Sequence, residues 1–407
     1  MAKRSVTPWH TDRWFTSPWN FLPEVTAGFA PPKSVKIHDV TLRDGEQQAG
    51  VVLRVEEKVR IAEALAEAGV HRIEAGLPAV SPADEAAVRA IVKLGLPAEI
   101  YAFSRCMTDD VRRAVDCGVA GVVMEVPSSR HLIEKGYRWP VEKAIDLSIE
   151  ATRFAHEQGL KVSFFPIDAT RADMVELLDL LGRVAGEGHA DAIVLVDTFG
   201  VISPHAVRFF AKNVREHLGV ALEAHFHTDF GMGVANTVAA VMEGAGVLHT
   251  TVAGIGERAG NTPMEETLLA LLTMYGIDTG IRTERFVELS RLVLGLTGVQ
   301  QAPNRPVIGE QLFNVESGII TSWVKNCSED LVEAFPFHPG LVGQPLPEIV
   351  LGKGSGLDSV AIWLGRHGLT ADAGQLNEIL KAVKAKSLEI KGLLSDEEFM
   401  KIVEKSL

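Results

Sequence analysis

The sequence is poor in cysteine and in long apolar runs, and each scarcity excludes a class of protein. Three cysteines, Cys106, Cys117 and Cys327, occur among 407 residues, in neither a CxxC metal motif nor an even-numbered disulfide framework. No apolar run reaches the roughly 18 residues of a transmembrane helix, and no signal-peptide core follows Lys3 and Arg4. We therefore expect a cytoplasmic protein without a membrane partner.

Basic residues are also scarce. The chain has 40 Lys and Arg against 53 Asp and Glu, which gives a net charge of −13. This balance argues against nucleic-acid binding, which depends on clustered Lys and Arg that neutralise phosphates. No GxGxxG motif follows the first predicted strand, so a dinucleotide-binding fold is not expected.

Residues 1–33 form an N-terminal arm that is rich in proline and aromatic residues, including Trp9, Trp14 and Trp19. The prolines prevent a long helix, and exposed tryptophans are unfavourable in water. Two interpretations remain open: the arm packs on its own barrel, or it packs across a homodimer interface.

From about Val35, short β-branched runs alternate with segments of helical period, which indicates repeated βα units. Eight such units within residues 34–282 predict a (β/α)8 barrel, an α/β fold. Residues 283–407 then predict a linker and C-terminal helical subdomains. The predicted strands are Val35–Asp39, His71–Ala75, Glu99–Ala102, Gly121–Val126, Lys161–Pro166, Ala192–Asp197, Ala221–His227 and Val247–Ala253.

Two histidines mark a candidate metal site. His225 and His227 are two residues apart on the seventh strand, so their side chains point to the same face. Active sites of barrel enzymes lie at the carboxyl ends of the strands, where Asp44 follows the first strand. Two imidazoles and a carboxylate suit a catalytic divalent ion such as Zn²⁺, Mn²⁺, Co²⁺ or Mg²⁺. The alternative is a pair of hydrogen-bonded core histidines.

Other polar residues follow the strands at the same end. Arg43 fits a carbonyl or enolate oxygen that gains negative charge, although it could instead form a structural ion pair with Asp44. We also expect Glu74 to be catalytic and Gln47 and Glu125 to contact the substrate, because each lies at or just after the end of a strand.

Five segments in this order resemble a superfamily of metal-dependent barrel enzymes that includes the 2-isopropylmalate, homocitrate and citramalate synthases and hydroxymethylglutaryl-CoA lyase. They are residues 41–47 (TLRDGEQ), 73–79 (IEAGLPA), 197–200 (DTFG), 225–229 (HFHTD) and 254–261 (GIGERAGN). The resemblance implies that Asp44, His225 and His227 bind the metal, with Asn261 as a possible fourth ligand. It also implies that Arg43 polarises the substrate and that Thr198 contacts the carboxylate of a 2-oxo acid.

The chain departs from the synthase pattern at three polar positions. Ile167 stands where the synthases usually have glutamate, and Ile320 stands where they have a proposed histidine base; Gly354 replaces a further histidine. We therefore suggest His338 as the general base. Ile167 makes the predicted pocket less polar, which favours a less usual 2-oxo acid or an altered acyl donor.

The sequence thus predicts an acyl-CoA:2-oxo acid C-acyltransferase that uses a divalent metal ion and acyl-CoA, and the resemblance favours a homodimer. One alternative is a carbon–carbon lyase or aldolase that runs the same enolate chemistry, since the usual base is missing. A second alternative is a non-catalytic barrel that only binds a ligand. The complete set of polar residues at the strand ends argues against this alternative.

Overall fold

The computed structural model describes residues 7–407, which form two compact units. One unit contains residues 22–300. The other contains residues 7–21 together with residues 301–407. No helix among the described residues is both long and apolar enough to cross a membrane.

The first unit is built on a closed barrel of eight parallel strands in sequence order. The first strand pairs with both the second and the eighth, which closes the sheet. The strands are β1 (Lys36–Asp39), β2 (Arg72–Glu74), β3 (Glu99–Arg105), β4 (Gly121–Pro127), β5 (Lys161–Ile167), β6 (Ala192–Asp197), β7 (Ala221–Phe226) and β8 (Val247–Thr250). The predicted (β/α)8 fold is confirmed.

Helices surround the barrel and connect its strands. Ser81 and Ser203 cap two of them, each accepting a hydrogen bond from a backbone N–H three residues on, and a proline follows each cap. The helices of this unit are α1 (Pro23–Thr26), α2 (Val55–Ala68), α3 (Pro82–Lys93), α4 (Thr108–Cys117), α5 (Val141–Glu157), α6 (Met174–Glu187), α7 (Pro204–Leu218), α8 (Gly233–Met242), α9 (Met264–Tyr275) and α10 (Phe286–Thr297).

The predicted strand positions are close to those observed, and the largest differences are three residues at the ends of β3, which continues to Arg105, and of β8. This strand ends at Thr250 rather than Ala253, because Val252–Gly254 form a tight 3-10 turn. Ala253 has a φ of 56°, which is unusual for a residue with a Cβ. The turn sends the chain into the loop of residues 254–261 at the carboxyl end of the barrel.

The second unit is mainly helical, with a two-stranded sheet. Its elements are β9 (Asn314–Val315), α11 (Gly318–Asn326), β10 (Glu348–Ile349), α12 (Leu357–Arg366), α13 (Ala373–Ile390) and α14 (Asp396–Ser406). Trp363, Phe399 and Leu351 lie in its core, and Ile320 packs against this core. Gly318 and Gly356 pass so close together that a Cβ on Gly318 would lie 2.7 Å from the Gly356 Cα.

Residues 7–21 of the N-terminal arm belong to this second unit, whereas residues 22–33 belong to the barrel unit. The backbone N–H of Phe15 donates to the carbonyl of Pro336, and the N–H of His338 donates to the carbonyl of Arg13. Trp14 forms a β-bridge with Phe337. These contacts place residues 13–15 on the C-terminal segment, which neither interpretation of the arm had specified.

Candidate metal and substrate site

Three polar side chains meet at the carboxyl end of the barrel. Asp44 follows β1, His225 lies on β7 and His227 follows that strand directly. The Nε2 atoms of the two histidines are 3.4 Å apart. They lie 3.5 Å and 3.8 Å from Asp44 Oδ2. Atoms with these separations can share a centre about 2 Å from each, which is the usual distance between a divalent ion and its nitrogen or oxygen ligands.

The electrostatics of this cluster also suit a cation. Burial lowers the pKa of His225 to about 3 and lowers the pKa of His227. Burial alone would raise the pKa of Asp44, but the guanidinium of Arg43 and the contacts with the two histidines together outweigh burial and hold this pKa well below its usual range. At neutral pH, both imidazoles are therefore neutral and Asp44 is ionised, as metal ligands must be.

Asn261 adjoins the same cluster from the loop after β8. A β-bridge joins Asn261 to His227, and the Asn261 Nδ2 donates a 2.9 Å hydrogen bond to Asp44 Oδ1. The Oδ1 of Asn261 is buried and has no hydrogen-bond partner among residues 7–407. Because this amide oxygen has no partner within this range and lies next to three candidate metal ligands, the donor set fits a divalent ion with Asn261 nearby.

Arg43 is held beside this cluster by two carboxylates. Its Nε donates to Glu74 Oε1, and its Nη1 donates to Asp44 Oδ2 at 2.9 Å. Burial disfavours the charged guanidinium, but Glu74 and Asp44 outweigh this effect and raise its pKa. Nη2 is buried without a partner among the described residues. Arg43 thus forms the structural ion pair and also keeps a free N–H group, on Nη2, that can donate a hydrogen bond to an anionic oxygen.

Two predicted substrate residues, Gln47 and Thr198, follow β1 and β6 at the carboxyl end of the barrel. The Gln47 Oε1 is 3.5 Å from Arg43 Nη1, and the Gln47 side chain is exposed. Thr198 follows β6 and is half-buried, and its hydroxyl accepts a 2.8 Å hydrogen bond from the backbone N–H of Asp168. The hydroxyl hydrogen of Thr198 remains available to a ligand oxygen.

An apolar wall, formed by Leu77, Phe103, Phe165 and Ile167, adjoins these polar groups. Leu77 and Ile167 pack against a buried cluster that contains both phenylalanines. The Arg43 guanidinium lies 3.8 Å from the centre of the Phe103 ring. The Phe165 ring meets the ring of His225 edge to face, at 4.8 Å between centres. Sequence reasoning missed both phenylalanines, because alternating apolar residues are typical of any barrel strand.

Glu125 lies at the end of β4 and is largely buried. Burial raises its pKa to about 6, although Arg43 and Arg105 act in the opposite direction. Its side chain lines a cavity of about 170 Å³ together with Cys106, Tyr137 and Trp139. A carboxyl group with a pKa this close to neutrality can exchange a proton with a substrate.

His338, the predicted base, belongs to the second unit. Its Nδ1 accepts a 3.1 Å hydrogen bond from the backbone N–H of Gly340, which leaves Nε2 for other contacts. Its catalytic role stays a prediction. Two of the departures lie in this unit: Ile320 packs against the helical core, and the Gly354 N–H donates to Glu316 Oε1 at 2.7 Å.

Comparison with known proteins agrees with this arrangement. Residues 34–293 match the HMGL-like family model. The chain is 37% identical over 391 residues to homocitrate synthase AksA of Methanothermobacter thermautotrophicus, covering 96% of this chain and 97% of that protein. It is 42% identical over 353 residues to a probable 2-isopropylmalate synthase of Methanopyrus kandleri, covering 87% of this chain and 70% of that protein.

A solved structure supports the fold independently. Hydroxymethylglutaryl-CoA lyase from Pseudomonas aeruginosa superposes with a TM-score of 0.59 at 22% identity, covering 66% of this chain and 95% of the lyase. At this identity the likeness concerns the barrel alone. The matched family model and the two synthases confirm the predicted family: the chain belongs to the HMGL-like family of metal-dependent barrel enzymes.

Proposed function

We propose that this enzyme is an acyl-CoA:2-oxo acid C-acyltransferase that forms a 2-hydroxy dicarboxylic acid and releases CoA. The main support is the convergence of Asp44, His225 and His227 next to a buried Arg43 with a free donor. The names of relatives at 37–42% identity, which are homocitrate, citramalate and 2-isopropylmalate synthases, give the reaction class.

In this proposal, different residues of the barrel bind the metal, stabilise the developing charge and hold the substrate carboxylate. A divalent ion held by Asp44, His225 and His227 would supply positive charge to the oxygens of the 2-oxo acid. Arg43 donates through Nη2 to the carbonyl oxygen that gains negative charge as the new carbon–carbon bond forms. Thr198 donates its hydroxyl hydrogen to the carboxylate of the 2-oxo acid. Water then cleaves the thioester, which leaves a second carboxylate and free CoA thiol.

Glu125 is our candidate for the group that removes the proton from the acyl-CoA. An acyl-CoA methyl or methylene is a weak carbon acid, so the reaction needs a positioned base whose pKa is near the working pH. The pKa of Glu125, raised by burial to about 6, meets this condition. Glu74 is less suited, since Arg43 and His38 outweigh burial and lower its pKa to about 2. His338 remains the alternative base.

The apolar wall favours an acceptor with an uncharged side chain. Ile167 and Leu77 offer no donor or cation to a second carboxylate of the substrate. The carboxyl group of Glu125 would repel such a carboxylate when ionised. We therefore expect 2-oxobutyrate or 2-oxoisovalerate to be better acceptors than 2-oxoglutarate.

Release of CoA thiol tests the reaction class. Metal-loaded protein would be mixed with acetyl-CoA and pyruvate, 2-oxobutyrate, 2-oxoisovalerate, 2-oxoglutarate, oxaloacetate or glyoxylate, and the thiol followed with a chromogenic reagent. We expect release that requires both the acceptor and the metal, with the uncharged acceptors fastest. Thiol release without an acceptor would indicate simple hydrolysis. Cleavage of a 2-hydroxy acid without CoA would support the lyase alternative.

We also expect the enzyme to be a cytoplasmic homodimer.

A further inference from the structure

A network of charged side chains and histidines lies inside the barrel, behind Arg43. It consists of His38, Arg72, Glu74, Glu223 and His249, of which all but Arg72 are fully buried. The His38 Nε2 is 3.0 Å from Glu74 Oε2, and the His249 Nε2 is 2.9 Å from Glu223 Oε2. Arg72 donates to Glu223 at 2.6 Å. The two histidine rings stack with their centres 4.3 Å apart.

The hydrogen bonds define the protonation of the two histidines. A carboxylate only accepts hydrogen bonds, so Nε2 of each ring must carry the hydrogen. The Nδ1 atoms of His38 and His249 are buried and have no partner among the described residues, which argues against a second proton on either ring. Burial, together with the neighbouring His249, lowers the pKa of His38 to about 4. The His38 ring is therefore neutral at neutral pH.

The side chains His38, Glu74 and His249 come close enough to suggest a second metal site. The hydrogen bonds argue against it. Each Nε2 donates its hydrogen to its own carboxylate, Glu74 for His38 and Glu223 for His249, and so offers no lone pair to a shared centre. The stacked rings keep the two Nε2 atoms directed to these separate carboxylates. Glu74 also accepts from Arg43, and Glu223 accepts from Arg72.

We infer that His38 is a positioning residue for Arg43, acting through the carboxylate of Glu74. The His38 Nε2–H holds Oε2 of Glu74, which leaves Oε1 to accept from the Arg43 Nε. Within residues 7–407, Glu74 is the only hydrogen-bond partner of the Arg43 Nε, and Arg43 Nη1 is shared between Asp44 and Gln47. If Glu74 rotates, the free Nη2 of Arg43 moves away from the place where it would meet the substrate. The expected loss of activity when His38 is replaced rests on the proposed function. The expected loss of order at Arg43 does not.

Three substitutions separate positioning from core packing. His38→Gln retains an N–H at a distance from the backbone that can reach Glu74. His38→Asn is polar but too short, and His38→Leu has about the volume of Gln without a donor. If Leu is too destabilising to fold, Asn still removes the hydrogen bond.

The geometric measurement uses the Nε–H resonance of Arg43 in protein labelled with ¹⁵N-arginine, assigned by its loss in Arg43→Lys. Wild type and His38→Gln should show a slowly exchanging signal. In His38→Asn and His38→Leu the exchange should rise at least about tenfold, since Glu74 is no longer held. The metal content should be one equivalent per chain in all four proteins.

The kinetic measurement follows the same set of proteins. We expect kcat to fall about 10- to 100-fold in His38→Asn and His38→Leu, with KM for acyl-CoA unchanged and with His38→Gln close to wild type. If kcat fell equally in all three variants while the Arg43 signal was unchanged, His38 would contribute only to core packing. If the wild type held two metal equivalents and the His38 variants held one, the argument against a second metal site would be wrong. If no protein turned over any substrate, the proposed function would fail while the Arg43 signal still decided the positioning role.

Discussion

Asn261 donates a 2.9 Å hydrogen bond through its side-chain amide to Asp44, which lies 217 residues earlier in the chain. This bond ties the loop after the last barrel strand to the end of the first strand. The same loop lies against β7, because Asn261 also bridges His227. The carboxylate and one imidazole of the candidate metal centre are thereby fixed relative to each other before any ion binds, which lowers the cost of organising the site.

Replacing a candidate metal ligand should remove the ion without unfolding the barrel. We expect His227→Ala to bind Zn²⁺ or Mn²⁺ at least about 100-fold more weakly, because one of three ligands is lost. Metal content after dialysis and calorimetric titration measure the effect. His217→Ala, an exposed histidine on α7, is the control and should bind metal like wild type. Equal metal content in both variants would exclude the proposed centre.

The acid limb of the activity profile should report the ionisation of Glu125. A base must be deprotonated to act, and the pKa of Glu125 is raised by burial to about 6. We therefore expect kcat/KM to fall as the pH drops through about 6 and to be constant above it. Glu125→Gln should lose most activity at every pH and should lack this limb. A wild-type limb that survives in Glu125→Gln would point to another base, and His338→Gln would then be tested in the same way.

The apolar wall should control the choice of acceptor. Ile167→Ala removes apolar volume beside Leu77 and should shift the ratio of kcat/KM values towards bulkier 2-oxo acids by about tenfold, a typical effect of one or two methylene groups. The ratio for two acceptors of different size is the measured quantity. Val175→Ala changes an exposed valine on α6 and should leave the ratio unchanged. An unchanged ratio in Ile167→Ala would place the acceptor elsewhere.

The close approach in the second unit makes a stability prediction. A Cβ on Gly318 would lie 2.7 Å from the Cα of Gly356, so Gly318→Ala forces backbone to move and should cost about 1–3 kcal/mol of unfolding free energy. Gly365 lies in α12 with open space around it, so Gly365→Ala should be neutral or stabilise by about 0.5–1 kcal/mol. Denaturant unfolding of both variants compares them. Similar denaturation midpoints for the two variants would show that the backbone segments around Gly318 and Gly356 can move apart at little cost in stability.

Sequence patterns predicted much of the fold because buried parallel strands are short β-branched runs that alternate with helices. The predicted β6, Ala192–Asp197, agrees with the structure at both ends. The end of β8 was placed too late, because Val252 and Ala253 extend the apolar run although the backbone already turns. The arm's aromatic residues indicated burial, but Trp19 is 73% exposed, and composition does not specify the surface on which the others pack.

The candidate site was partly predictable for a related reason. The spacing of His225 and His227 places both on one face, and strand ends meet at one side of a barrel. Asn261 was suggested as a ligand chiefly by the family resemblance, since asparagine in a loop has no distinctive spacing. His38 was missed because a single histidine in a strand does not reveal that Glu74 and His249 lie opposite it. The pKa of Glu125 likewise depends on burial, which the strand pattern does not quantify.

The formation of the carbon–carbon bond is the central claim, and labelled substrate tests it most directly. Metal-loaded enzyme would receive acetyl-CoA labelled with ¹³C at the methyl carbon together with 2-oxobutyrate or 2-oxoisovalerate, and the products would be analysed by NMR and mass spectrometry. We predict a 2-hydroxy dicarboxylic acid whose labelled carbon has become a methylene bonded to the former carbonyl carbon, formed in equal amount with free CoA. Label that appears only in acetate, or that stays in acetyl-CoA with every acceptor tested, would contradict the proposed condensation.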